Sequence, residues 1–243
     1  MNRIRLLRIV LAIVFLLGLG AGAFILWYRG GGLSQSNEPI TRWFTDPASR
    51  PGLTTSMTRL TCPDAPFILP SDGLIGLLWN DPAAPYSIMS THTGIDVFGD
   101  GEPGTVPVYA AYEGWLSRLP EWRSSVIIRH DDPLQPGRTI WTYYTHMASR
   151  DGEQSYVADT FPPGTTDLPV QQGDLLGHQG EYAGAGRAPI GLHVHFSIVL
   201  SDDAGSFHNE AVTGNTLDPS PYLGMQLNIA AAPRRPITCT IGE

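Results

Sequence analysis

The sequence predicts a mostly β fold, an antiparallel sheet or sandwich with long loops, behind one N-terminal transmembrane helix. Three observations lead there. Ile9 to Tyr28 is an apolar run without a charge. The remainder is dense in turn formers, with 27 Gly and 21 Pro in the 243-residue chain. Between the turns lie short apolar runs with the period of two that marks antiparallel strands, and no long amphipathic helix interrupts them.

The N-terminal segment comes first. "MNRIRLLR" is basic, and the apolar run behind it, about 20 residues, suffices to cross a bilayer core. Residues 1–8 then form a cytoplasmic basic tip and 9–28 an anchor, because Arg on the N-terminal side directs everything after Arg29 outward. The alternative is a cleaved signal peptide, since Ala21-Gly22-Ala23 resembles an Ala-x-Ala site. Against cleavage, the run continues through Phe24, Ile25, Leu26 and Trp27. Either way the remainder is exported: held on the cell membrane by a single pass, or secreted. "RGGGLSQSNEP" reads as a tether, and 29–60 as a flexible, irregular linker to an extracytoplasmic domain over 61–243.

Charge and cysteines limit the partners. The formal net charge is -8 and every basic residue is Arg. An acidic exported surface repels phosphate backbones, so no nucleic-acid partner is expected; its plain role is solubility. Cys62 and Cys239 lie near the two ends of the domain, in a compartment where disulfides persist. The pair reads as a disulfide, the alternative being two unrelated thiols. Neither has metal-site or redox-motif spacing.

Within the domain the expected strands are Gly94–Phe98, Val108–Ala111, Gly114–Leu119, Ser125–His130, Thr139–His146, Asp174–Gln179 and Leu192–Leu200. "SRDGEQSYVADTFPPGTTD" is a long polar insertion between two of them.

Three strand-associated segments carry the chemistry. In "GLHVHFSIVL" alternation sets His193, His195 and Ser197 on one face and Val194, Phe196 and Ile198 on the other. In "THTGIDVFG" His92 and Asp96, both good zinc ligands, stand four apart, with Gly94 giving the chain freedom to turn. In "TIWTYYTHM" alternation groups Thr142, Tyr144 and His146 on one face, His146 at the strand's end. A plainer reading attends each segment: a solvated polar face, a turn, a capping residue.

Together these segments resemble the lysostaphin-type (LytM-like) zinc endopeptidases. That family has His-x-Gly-x-Asp, Tyr-x-His-hydrophobic and His-x-His-Phe motifs in this order. Here they are His92-Thr-Gly94-Ile-Asp96, Tyr144-Thr-His146-Met147 and His193-Val-His195-Phe196. "GTVPVYAAYEGWL", "VQQGDLLGHQG" and "NTLDPSPYLG" are similar to its connecting segments, and the resemblance spans a motif core of about 86–224. The chain departs in the extra residue of "GTVP", in Leu192 where Pro is common, in Ser197 where Glu is frequent, and in long insertions.

The resemblance implies one Zn²⁺ per chain on His92, Asp96 and His195, with His146 and His193 as the catalytic pair. It offers Tyr86 as an oxyanion-stabilising candidate and leaves His130, His178 and His208 as structural or surface residues. It also implies the substrate, peptide stems or cross-links of peptidoglycan. No HExxH helix with its Glu base is present, so proton handling falls to imidazoles. Two other readings stand beside this one. One is a catalytically silent regulator that binds or activates another wall hydrolase, which would then be its regulatory protein partner. The other is a cupin-like metalloprotein, against which Val199 and Leu200 occupy the places where a Glu is expected.

Overall fold

The computed structural model describes residues 3–29, 34–187 and 190–240. Positions 1–2 of the basic tip, 30–33 of the linker, and 188–189 and 241–243 of the domain lie outside the described residues. Helix α1 (Arg3–Arg29) is a single run of 27 residues. Its stretch Arg8–Ile25 has the length and composition of a membrane span or a signal sequence.

Residues 34–52 are more ordered than a tether. Helix α2 (Asn37–Thr45) is followed by a 3₁₀ turn, Pro47–Gly52, where 29–60 is expected to be irregular. The reason is a short apolar stripe. Ile40 and Trp43, one helical turn apart, pack with Leu53 against Leu74 and Phe98 of the sheet. Two such side chains among Gly and Pro are too few to register as a helical period.

The strands are β1 (Leu74–Ile75), β2 (Ile95–Phe98), β3 (Pro107–Tyr109), β4 (Gly114–Ser117), β5 (Val126–Asp131), β6 (Thr139–Thr145), β7 (Leu168–Val170), β8 (Leu175–His178), β9 (Val194–Leu200) and β10 (Thr216–Leu217), with a short helix α3 (Ser220–Leu223) behind them. Among the described residues, one sheet runs β1-β2-β9-β6-β5-β4-β7 with β10 also on β9, and β3 pairs β8 separately. Every strand pairing is antiparallel, so the expected fold class holds. The seven expected strands appear with ends shifted by a residue or two. Strands β1, β7 and β10, of two or three residues, are too short to show alternation.

Strand β9 is central. Val194, Phe196 and Ile198 enter the main core with Ile95, Ile128 and Tyr144. On its other face Val199 joins Ile127 and Trp141 under Trp122, Tyr143 and Phe207. That aromatic cover leaves the His193 and His195 end of the face to other neighbours. The polar insertion is held down by Arg118, whose guanidinium donates to Phe161 O (2.8 Å) and Ser155 Oγ (3.0 Å). Cys62 and Cys239, 177 positions apart, are joined as a disulfide. The bond ties the start of the domain to its end beside Met225, which bridges Cys239.

Candidate metal centre

The sheet register builds the site. Asp96 in β2 lies directly opposite His195 in β9, so their side chains emerge side by side on one face. His92 precedes β2, its backbone locked to the preceding turn by Asn80 N–H donating to His92 O (2.8 Å) and His92 N–H to Asp81 O (2.9 Å). Gly94 permits the approach, though through space rather than turning freedom. A Cβ there would lie 2.0 Å from Phe196 O, nearer than atoms can stand, so only glycine lets β2 sit this close to β9.

Three atoms converge. His92 Nε2 is 3.1 Å from Asp96 Oδ1 and 2.9 Å from His195 Nδ1, and His195 Nδ1 is 2.9 Å from Asp96 Oδ1. Ligands on a tetrahedral zinc with bonds of about 2.0 Å stand about 3.3 Å apart, so this triangle is close to one face of such a tetrahedron. All three side chains are buried. The outer nitrogens are also committed. His92 Nδ1 donates to Leu78 O (3.0 Å) and His195 Nε2 to Glu210 Oε1 (2.8 Å). Each ring thus presents its inner nitrogen, Nε2 of His92 and Nδ1 of His195, to the triangle, the orientation seen when a metal-binding histidine is fixed by a carbonyl or carboxylate behind it. The donor set fits a zinc ion.

Glu210 is the residue that motif reading misses. It sits in the loop after β9, outside any motif or period, and accepts a further hydrogen bond from Thr93 Oγ1. Ser197, next but one to His195 along β9, offers no carboxylate, and among the described residues its buried Oγ has no hydrogen-bond partner. Burial would raise the Glu210 carboxyl, yet His195 beside it draws it down to about 2. Burial likewise opposes charge on His195, but the carboxylates of Glu210 and Asp96 prevail and lift it to about 10. Asp96 is held well below the usual carboxylate range: the neighbouring histidines outweigh its burial.

His146 reaches the site by a route that alternation does not give. Thr142 and Tyr144 face away from it, Tyr144 into the core and Thr142 onto buried His130 (2.7 Å). On alternation His146 would follow them. Instead β6 stops at Thr145, and His146 takes a positive φ of 76°, an uncommon backbone state for a side-chain-bearing residue. Its ring swings to the opposite face, with its centroid 4.5 Å from that of His193. His146 Nδ1 donates to Tyr182 O (2.7 Å) and His193 Nδ1 to Gly191 O (2.7 Å), so each Nε2 carries a lone pair. His193 Nε2 lies 3.7 Å from Asp96 Oδ1, at the edge of the ligand triangle. Burial, reinforced by the other histidines, lowers His146 to about 3. Burial also lowers His193. Both are neutral at pH 7.

A cleft of about 730 Å³ opens over the centre, bordered by Tyr86, Tyr143, His146, Arg187, His195 and Glu210. The Tyr86 ring centroid is 4.9 Å from that of His92, and burial, then the nearby carboxylates, raise its phenol. His130 lies apart from the centre, donating Nδ1–H to Glu113 O (2.6 Å), and His178 and His208 take no part in it.

No protein-family model and no curated protein sequence matches the chain. Several solved structures are similar to it. A protein of Ruminococcus gnavus, named as a glycyl-glycine endopeptidase lytM, shares 21% identity over 53% of this chain and 44% of its own, at a TM-score of 0.34. Lysostaphin shares 21% over 55% of this chain and 43% of its own, at 0.33. A zinc-containing peptidase from Vibrio cholerae shares 15% over 65% of this chain and 40% of its own, at 0.33. The chain thus spans less than half the length of each of these three proteins.

Proposed function

We propose that this chain is a zinc-dependent endopeptidase of the LytM-like type. It hydrolyses peptide bonds in the stems or cross-links of peptidoglycan, its domain held outside the cytoplasmic membrane by α1. One observation carries the reading: His92 Nε2, Asp96 Oδ1 and His195 Nδ1 form a triangle with edges of 2.9–3.1 Å, each imidazole fixed from behind. These three residues would hold one zinc ion. Bound there, zinc supplies a Lewis acid that acidifies water and polarises a carbonyl oxygen.

The remaining work belongs to the chain's own groups. The substrate peptide lies in the cleft, its scissile carbonyl beside the ligand triangle. His146 and His193, neutral and with Nε2 unprotonated, take the proton released by the attacking water and return it to the departing amine. The carbonyls of Tyr182 and Gly191 keep the two rings in the tautomer this needs. Tyr86 stands beside His92 with its phenol kept protonated, able to donate a hydrogen bond to a developing oxyanion.

The test is digestion of purified peptidoglycan, with and without chelator and with mass analysis of the products, beside metal analysis of variants. Ala at His92, Asp96 or His195 should abolish bound zinc. His146→Ala and His193→Ala should keep zinc and lose turnover. Wild-type protein that binds zinc stoichiometrically but releases no peptide from any wall type would refute the enzyme and favour the silent regulator.

A further inference from the structure

Helix α2 lies outside the motif core, yet it is fastened beside the site at both ends. At its start, Asp81 accepts hydrogen bonds from Ser34 Oγ (2.6 Å) and from Ser36 Oγ. Asp81 is the residue whose carbonyl holds His92 in place. At its end, Phe44 packs on Gly191 so closely that a Cβ on that glycine would meet the Phe44 ring at 2.3 Å. Gly191 is the residue whose carbonyl accepts from His193 Nδ1. Phe44 also meets Phe98 edge-on, at 5.5 Å between centroids, and Phe98 lies against the His193 ring at 4.8 Å. Two paths of contact therefore lead from one side chain to His193: through the backbone that fixes its tautomer, and through the ring that backs it.

We propose that Phe44 of α2 is a positioning residue for His193, so that the segment joining the apolar helix to the domain is part of the active-site architecture. The inference rests on the reading of His193 as a proton-transfer residue. Phe44 is 46% exposed, so its truncation removes a support without emptying the core. The Gly191 carbonyl and Phe98 then gain freedom, and His193 loses its fixed angle to the cleft. A displacement of about 1 Å at a reacting group can lower turnover up to about 100-fold.

The experiment uses the full-length chain and compares wild type, Phe44→Ala and Phe44→Leu. Expected for Phe44→Ala are unchanged zinc content and melting temperature, kcat lower by about 10- to 100-fold, KM little changed, and an altered His193 ring signal in spectra of histidine-labelled protein. Phe44→Leu, which restores an apolar cover, should recover most of the turnover. Turnover and ring signal equal to wild type in Phe44→Ala would overturn the proposal. So would a loss of activity that merely tracks lost zinc or a lowered melting temperature. If wild type itself shows no turnover, the peptidase reading fails, while the ring signal still decides whether Phe44 orients His193.

Discussion

Glu210 shows how a side chain outside every motif can fix a candidate metal ligand in place. Its carboxylate fixes the outer nitrogen of His195, and such partners typically contribute 10- to 100-fold to metal affinity. Glu210→Ala should therefore raise the zinc dissociation constant by about 10- to 100-fold, measured by competition with a chelator. Glu210→Gln, which retains an acceptor oxygen, should fall between the two. An unchanged constant in Glu210→Ala would remove Glu210 from the site. His130 supplies a prediction of another kind. Burial foremost holds it down to about 4, against 6.5 when unfolded. The folded value is the lower one, so the unfolded chain binds the extra proton between these limits. Stability from this group is complete above pH 6.5 and is lost as pH falls toward 4. The loss is about 3 kcal/mol in all, from about 1.4 kcal/mol per pKa unit. Denaturant midpoints of wild type should drop across that window, and His130→Gln should show a correspondingly flatter profile. At this scale, what could be read in advance follows motif spacing. The meeting of His92, Asp96 and His195 is legible in the order of their motifs, whereas Glu210 comes from a loop whose path no periodicity sets.

Gly94 links residue to element, because it decides how closely two strands can lie. Alternation along β9 placed His193 and His195 opposite Val194 and Phe196, and the pairing of Asp96 with His195 followed from the register of β2 on β9. Alternation failed one residue past a strand end. His146 leaves β6 with φ 76°, and a period of two has no meaning beyond the last ladder pair. The role of Gly94 is visible in the sequence only as flexibility, since a clash with the carbonyl of Phe196, 102 positions away, leaves no local mark. Gly94→Ala should push β2 from β9, widening the gap between Asp96 and His195. Such overpacking typically costs about 1–3 kcal/mol, and here it should weaken zinc binding as well. A calorimetric scan with and without zinc measures both, and a variant with wild-type melting and zinc-induced stabilisation would refute the steric account.

The body of the molecule behind α1 is closed by contacts between its first and last segments, which is the part of the fold least accessible to local reading. The mostly β class was legible from turn density and alternation, but the incorporation of residues 34–60 into the body was not. It depends on Trp43 meeting Leu74 and Phe98, and on Arg235, near the C-terminus, donating to Ile75 O (2.6 Å), Gly76 O (2.7 Å) and Ser36 Oγ (3.3 Å). The disulfide acts on the same scale. By bridging positions 177 apart it removes much of the freedom of the unfolded chain, and the chain-entropy relation puts its contribution at about 5 kcal/mol as an upper figure. That is a large fraction of the stability of an ordinary domain. Reduction, or Cys62→Ser with Cys239→Ser, should thus lower the melting temperature markedly. Because the bond lies away from the ligand triangle, protein kept folded at low temperature should still bind zinc with wild-type affinity. A melting temperature unmoved by reduction would show that the strap of Arg235 and the Trp43 cluster hold the two ends together without the sulfur bond.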